Sequence, residues 1–460
     1  MRKIFSGILY GIFFIFAGIL FISCIMLIIN TARKHNTEYK QIEAVIIDEK
    51  GETDNARYEM IDTQVSSETL PGYAPSELKY GYSVLDSESK RYLYNEIGEK
   101  IYSVSDKKDD NGHYRIARLR VAGDRLSEFD IREVVNAYIY DNPHIFWLEN
   151  LFGYAYVGDD TITEFYSVIS ADECEDCIEL FNKKIGEMVS GIDAGLSEYE
   201  REKILHDRLL TRCRYKSGIK SSRDGWQYFS AYGAIVTGEA VCEGYAKSMQ
   251  ILLSKAGIPC LTIKGEGDGV FHMWNVVELG DSWYHVDPTW DDNEKDSLIS
   301  YEYFNLDSNN INKNHRISED VKTVLSGENS ADVDTNARYN FFIPLCTSMD
   351  MNYYNTEGVF INTFDEESDI RVIKAMVEKA KNEENYFPIK FGQAMKYSDY
   401  INGLFYDSPH KYYYYIDHAN ERLDDSHKIS KDNISVLKNE DNMTLRVKIV
   451  FEENKNIDKS

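Results

Sequence analysis

The stretch Glu239-Ala-Val-Cys242-Glu-Gly-Tyr-Ala246 decides the reading of this chain. From Val241 onward the apolar positions Cys242, Tyr245, Ala246, Met249, Leu252, Leu253 and Ala256 recur at helical spacing, the stripe of an amphipathic helix. Gly238 stands just before this segment and Gly257 with Pro259 just after it, a loop at the start and a stop at the end. A thiol in the first turn of a helix meets unpaired amides and the positive end of the helix dipole, which favour its ionised form. Cys242 is therefore the candidate nucleophile.

The residues downstream supply its partners. Cys260 to Lys264 reads as a short strand, and Phe271-His-Met-Trp-Asn-Val-Val-Glu-Leu279 and Ser282-Trp-Tyr-His-Val-Asp287 read as two strands. Gly280-Asp281 joins them as a two-residue hairpin turn. If Leu279 pairs with Ser282, Trp274 pairs with Asp287 and His272 lies diagonally on the same face. Diagonal neighbours of this kind are roughly 7–8 Å apart at the backbone, within reach of an imidazole and a carboxylate. His285 is the rival base, two residues from Asp287 on its own strand, but it lacks the His-x-Trp-Asn setting and reads as structural.

A thiol near its ordinary pKa is only slightly ionised at neutrality, so a cysteine enzyme activates it with a base and orients that base with a third group. Cys242 as nucleophile, His272 as base and Asp287 as the group that sets the imidazole's tautomer meet this requirement. The backbone N–H of Cys242 is placed to meet an oxyanion, with Gln227 and Tyr232 as candidate side-chain donors. Trp274, Trp283 and Trp290 are candidate groove walls, with core packing as the competing reading. Asp291 and Asp292 are two adjacent acids without further ligands, which fits a solvated loop better than a cation site. The chemistry calls for no cofactor and no metal.

The run Ala231-Tyr-Gly-Ala-Ile-Val-Thr-Gly-Glu-Ala-Val-Cys242-Glu-Gly-Tyr-Ala-Lys247, then His272-Met-Trp-Asn275, then Trp283-Tyr-His-Val-Asp287-Pro-Thr-Trp-Asp-Asp292, resembles the transglutaminase-like superfamily of papain-fold cysteine enzymes, and looks most like its bacterial, surface-anchored branch. The resemblance is dense from about Leu205 to Phe304 and thin elsewhere. It implies a helix bearing the nucleophile packed on an antiparallel sheet, with either hydrolysis or transamidation as the outcome. It also implies that the preceding helix, with its His206-Asp207 pair, is scaffold. Adjacent helical positions do not face each other, which supports the same reading.

At 460 residues the chain has room for two or three domains. Ile4 to Ile29 is almost wholly apolar after Met-Arg-Lys and is long enough at about 1.5 Å per residue to cross a bilayer core of about 30 Å. It is expected to be an uncleaved anchor, with the rest of the chain on the outer side. The formal net charge of −26 argues against nucleic-acid binding. Seven cysteines, one of them in the apolar span, do not form a disulfide framework, and Cys174-Glu-Asp-Cys177 reads as a structural helix start.

The expected organisation is an anchor over 1–33, an extended linker over 34–78, an α/β subdomain over 79–195, the catalytic core over 196–325 and an α/β domain over 326–460. Ser127 and Ser197 are expected helix caps. The fold class is thus α+β, a papain-like transglutaminase core with flanking α/β subdomains and an N-terminal transmembrane helix. The expected function is thiol-based cleavage or transfer at protein or cell-wall peptide amides, as peptidase, deamidase or transamidase. The alternative is a catalytically silent surface adhesion or scaffold module on the same fold. Oligomeric state is open.

Overall fold

The computed structural model describes residues 43–46, 79–193, 195–219, 225–293, 298–318, 340–432 and 434–452. The expected anchor Ile4 to Ile29 lies outside them; among the described residues no helix is long and apolar enough to cross a membrane. They form two compact units. One comprises the described residues up to Tyr303 with Asp307–Thr347, the other Phe304–Leu306 with those from Ser348 onward.

The first unit begins with β1 (Glu43–Ile46), a strand within the stretch expected as a linker. Helix α1 (Glu88–Lys100), β2 (Tyr114–Val121), α2 (Glu128–Asp141), β3 (Leu148–Val157), β4 (Asp160–Ser167) and α3 (Ala171–Val189) follow. The four strands form a sheet in the order β1-β3-β4-β2, with β1 parallel to β3 and the other pairs antiparallel. Ser127 and Ser170 open α2 and α3 with reciprocal capping boxes, and Ser197 does the same for α4 (Glu198–Arg212). In each, the serine oxygen accepts from the third helical amide while the acid there accepts from the cap N–H, satisfying groups the helix leaves open.

The centre of this unit is α5 (Cys242–Lys255), β5 (Cys260–Gly267), β6 (Val270–Leu279), β7 (Ser282–Val286) and β8 (His315–Ile317). The strands make an antiparallel sheet in the order β8-β5-β6-β7. Helix α5 is buried almost all round rather than along one stripe, because elements pack on it from several sides. Two of its buried polar side chains find backbone acceptors: the Ser248 hydroxyl donates to the Gly244 carbonyl at 2.7 Å, and the Gln250 amide donates to the Tyr140 carbonyl. Leu252 and Leu253 are both fully buried, each contributing about 1.5–3 kcal/mol of transfer free energy. The Asn275 amide donates from β6 to the Ala246 carbonyl at 2.9 Å, fixing helix to sheet.

The second unit contains β9 (Val359–Ile361), α6 (Glu366–Lys381), β10 (Tyr386–Phe391), α7 (Tyr397–Phe405), α8 (Lys411–Asn420), β11 (Val436–Asn439) and β12 (Thr444–Lys448). Its mixed sheet has the order β9-β10-β12-β11. Tyr400, Tyr412 and Tyr415 are buried in its core, so these tyrosines serve packing rather than an exposed binding platform.

Candidate active site

Cys242 is the first residue of α5, and Val241 before it caps the helix with its backbone alone. At this position a helix supplies no acceptor for the N–H. A short turn, Trp226–Phe229, holds the helix start in place: the Val241 N–H donates to the Tyr228 carbonyl at 2.9 Å. Gly244 makes that close approach possible. A Cβ there would lie 2.7 Å from Ala240 Cβ and 2.8 Å from the Ser230 carbonyl oxygen, contacts no side chain tolerates.

The hairpin has the register expected of a two-residue turn: Leu279 pairs with Ser282, and the ladder runs without a bulge to Asn275 and Val286. Continuing it places Trp274 opposite Asp287, with His272 diagonal to it. His272 Nε2 lies 2.6 Å from Asp287 Oδ2. The Cys242 thiol is near enough to the His272 ring to add to what raises it. Since Nε2 faces the carboxylate, Nδ1 is the nitrogen left for the sulfur. Cys242 and His272 are only 5% and 6% exposed and Asp287 is fully buried, so charges here act with little screening by water.

Burial opposes the charged form of His272, but the charge and hydrogen bond of Asp287, with a contribution from Cys242, outweigh it and raise the imidazole to about 10. Burial likewise pushes the Asp287 carboxyl up, yet the two imidazoles against it hold it well below the ordinary carboxylate range. Both shifts favour an ionised aspartate beside a proton-holding imidazole.

The second imidazole is His315, whose Nε2 lies 2.9 Å from the same Asp287 Oδ2. The other carboxylate oxygen accepts from the backbone N–H groups of Thr289 and Trp290 at 3.0 and 3.2 Å. His315 escaped sequence reading: it stands in a polar stretch with no motif around it, and only the pairing of β8 on β5 brings it to the site. One ring nitrogen of His272, one of His315 and an Asp287 oxygen all lie within 4.8 Å of one another, a set that could hold a metal ion. As they stand, both imidazoles are hydrogen-bonded to the carboxylate.

The tryptophans have separate fates. Trp290 is partly exposed, with its ring 5.6 Å from His272 and 4.4 Å from His315. Trp274 is fully buried and donates its indole N–H to His285 Nδ1 at 3.1 Å; it is core, which corrects its assignment as a groove wall. Trp283 packs edge-on to Phe342 at 5.7 Å. Accepting from Trp274 leaves His285 with its proton on Nε2, and burial pushes its pKa down to about 3, so it is a neutral structural residue.

Of the side-chain oxyanion candidates, Gln227 sits half-buried in the turn beside the helix start. Tyr232 has its ring among Phe146, Phe181 and Trp226, near the Cys177 thiol on α3. Cys174 and Cys177 are free thiols on α3. A cavity of about 50 Å³ adjoins the first turn of α5, bordered by Phe146, Trp226, Phe229, Ser230, Glu243 and Lys247.

His206 and Asp207 also depart from expectation. Although adjacent on α4, His206 Nδ1 lies 3.2 Å from Asp207 Oδ1, while the Tyr301 hydroxyl and Lys203 hold that carboxylate. His206 Nε2 faces Asp291 Oδ2 at 3.4 Å. Burial opposes a charge on His206, but the two carboxylates outweigh it and raise the ring to about 9. Asp291 is fully buried rather than in a solvated loop, and Asp292 accepts from the Tyr245 hydroxyl. Both acids therefore tie the Asp287 turn to α4 and α5.

Residues 187–288 match the transglutaminase-like superfamily model, a span that contains Cys242, His272 and Asp287 and ends before His315. No curated protein matches the chain. Among solved structures, a TGase is similar at 14% identity and a TM-score of 0.22, over 37% of this chain and 50% of that one. A protein provisionally described as a cysteine protease, from Cytophaga hutchinsonii, is similar at 15% identity and a TM-score of 0.20, over 31% of this chain and 62% of that one. The chain thus spans between half and two thirds of these two structures, and similarity of this degree carries no inference about activity. The domain over 187–288 is transglutaminase-like and the surrounding architecture is mixed α+β.

Proposed function

We propose that this chain is a cysteine enzyme acting on protein or peptide amide bonds, with Cys242, His272 and Asp287 as its triad. The observation that carries the reading is an imidazole held 2.6 Å from a buried carboxylate, with a thiol near that imidazole at the first residue of a helix. In the first step the Cys242 sulfur, its proton already held on His272 Nδ1, attacks the amide carbonyl carbon. Negative charge collects on the carbonyl oxygen, where the Cys242 N–H, and in this reading the Gln227 amide, meet it. His272 then returns the proton to the departing nitrogen; the C–N bond breaks and a thioester remains on Cys242. Attack by water releases a carboxylic acid, while attack by an amine forms a new amide. Either route restores the thiol. Asp287 stays ionised throughout, steadies the imidazolium and fixes the ring.

The apolar run Ile4 to Ile29 supports a tether that holds this body outside the membrane, where protein or cell-wall peptides are within reach. Carbonate extraction of membranes with protease digestion of intact cells tests placement; a chain released by carbonate, or protected in intact cells, overturns it. Activity is tested by incubating the full-length protein with a protein substrate, with and without a dansylated alkylamine. Amine incorporation identifies transamidation, new termini identify proteolysis, and release of ammonia without either identifies deamidation. No change across diverse substrates, or activity that survives Cys242→Ala, overturns the reading and leaves the scaffold alternative.

A further inference from the structure

We propose that His315 is a positioning residue of this same centre: it locks the Asp287 carboxylate and shares its charge with His272. The inference rests on reading Cys242 and His272 as nucleophile and base, and it extends the site to a residue beyond the family match. Asp287 accepts four hydrogen bonds, which uses the whole acceptor capacity of a carboxylate. Two come from backbone N–H groups to Oδ1, and two from imidazoles to Oδ2. Of the four donors, only His315 is neither on the turn that carries Asp287 nor the base itself.

His315 is held so that it cannot turn away. Its Nδ1 pairs with Asn314 Oδ1 at 2.7 Å, and Asn314 in turn donates to the Tyr303 hydroxyl. Its ring lies against Trp290 at 4.4 Å, edge-on to Trp274 at 5.0 Å and 5.3 Å from His272. On the sheet it pairs with Gly267, and a Cβ at Gly267 would lie 2.9 Å from Trp290 and 3.3 Å from the His272 ring. The missing side chain is what lets the rings close around the carboxylate.

Two consequences follow. Without His315 the carboxylate has a donor missing on Oδ2, so His272 loses its fixed bearing toward the sulfur. The charge of Asp287 then serves one ring instead of two, so the imidazolium of His272 persists to higher pH. The other titratable groups around these rings are Cys242 on α5, His285 on β7, Asp291 in the Asp287 turn and Tyr303 beyond it.

The test needs no substrate: the rate at which iodoacetamide alkylates Cys242 in the full-length protein, followed from pH 5 to 10 by peptide mass spectrometry. Wild type is expected to react at acidic pH far faster than its other cysteines. His315→Phe keeps a ring but no N–H; its rate at pH 6 should fall about tenfold or more, with the upper limb of the profile moved to higher pH. His315→Gln restores an N–H donor and should recover most of the rate. A folded His315→Phe with the wild-type profile overturns the proposal while leaving the triad standing. Wild-type Cys242 no more reactive than the other thiols instead overturns the triad, and this proposal with it. Should His315→Phe not fold, imidazole ¹⁵N resonances of Cys242→Ala decide: a His315 Nε2 that carries no proton overturns the proposal.

Discussion

His272 and Asp287 are fifteen residues apart in the chain, yet Nε2 and Oδ2 meet at 2.6 Å. The two-residue turn between β6 and β7 makes this so. A register slip by one residue would send every side chain of one strand to the opposite face, and the contact would not exist.

Asp287→Asn tests how far the carboxylate's charge matters. The substitution keeps the shape but places an amide N–H₂ where four donors converge, so at least one donor loses its acceptor. Turnover should fall on the order of 10²–10⁴-fold, mostly in kcat, and stability by about 1–3 kcal/mol. Kinetics on any substrate found, with urea melts, check both; near-wild-type kcat would remove Asp287 from the mechanism.

Tyr232→Phe should leave kcat within a few-fold of wild type. Its ring packs among Phe146, Phe181 and Trp226 near the Cys177 thiol, and loss of a modestly bonded hydroxyl costs about 1 kcal/mol, which should appear as lowered thermal stability. A drop in kcat of about 100-fold or more, the size seen when an oxyanion donor is removed, would return Tyr232 to the site.

Gly267→Ala adds a Cβ 2.9 Å from Trp290 and 3.3 Å from the His272 ring. Both rings are packed, so the strain falls on the His272–Asp287 contact, with an expected cost of about 1–3 kcal/mol. Tryptophan fluorescence and the iodoacetamide rate at Cys242 should both change. An unchanged rate would mean the rings yield freely.

His206 gives a pH dependence with a definite sign. Its folded-state value of about 9 lies above the ordinary histidine value of about 6.5. The stability it contributes is therefore complete below about pH 6.5 and is lost as pH rises through about 9. Asp291, raised to about 6 by burial, adds a slope of the same sign at lower pH. The melting temperature should fall over this window, and His206→Gln should flatten that fall. His272, raised to about 10, leaves a residual slope at the alkaline end. An identical slope in wild type and His206→Gln would show that His206 does not carry it.

Local rules suffice for much of this chain. Helical spacing after Cys242, serine caps three residues before an acid, and a Gly-Asp turn between two strands are written in neighbouring residues, so they declare the helix that begins at Cys242, the capped helices and the hairpin register before any folding. What lies beyond them depends on segments distant in sequence. His315 reaches Asp287 only because β8 pairs with β5; Ser248 and Gln250 look like surface on a helix that is buried all round; Trp274 becomes core while Trp290 stays beside the histidines. His206 and Asp207, apart by helical geometry, are drawn together by Tyr301, Lys203 and Asp291. The sequence by itself determined which groups could react. Tertiary structure decided how many donors surround the carboxylate that steadies them, because such donors are counted in space and not along the chain.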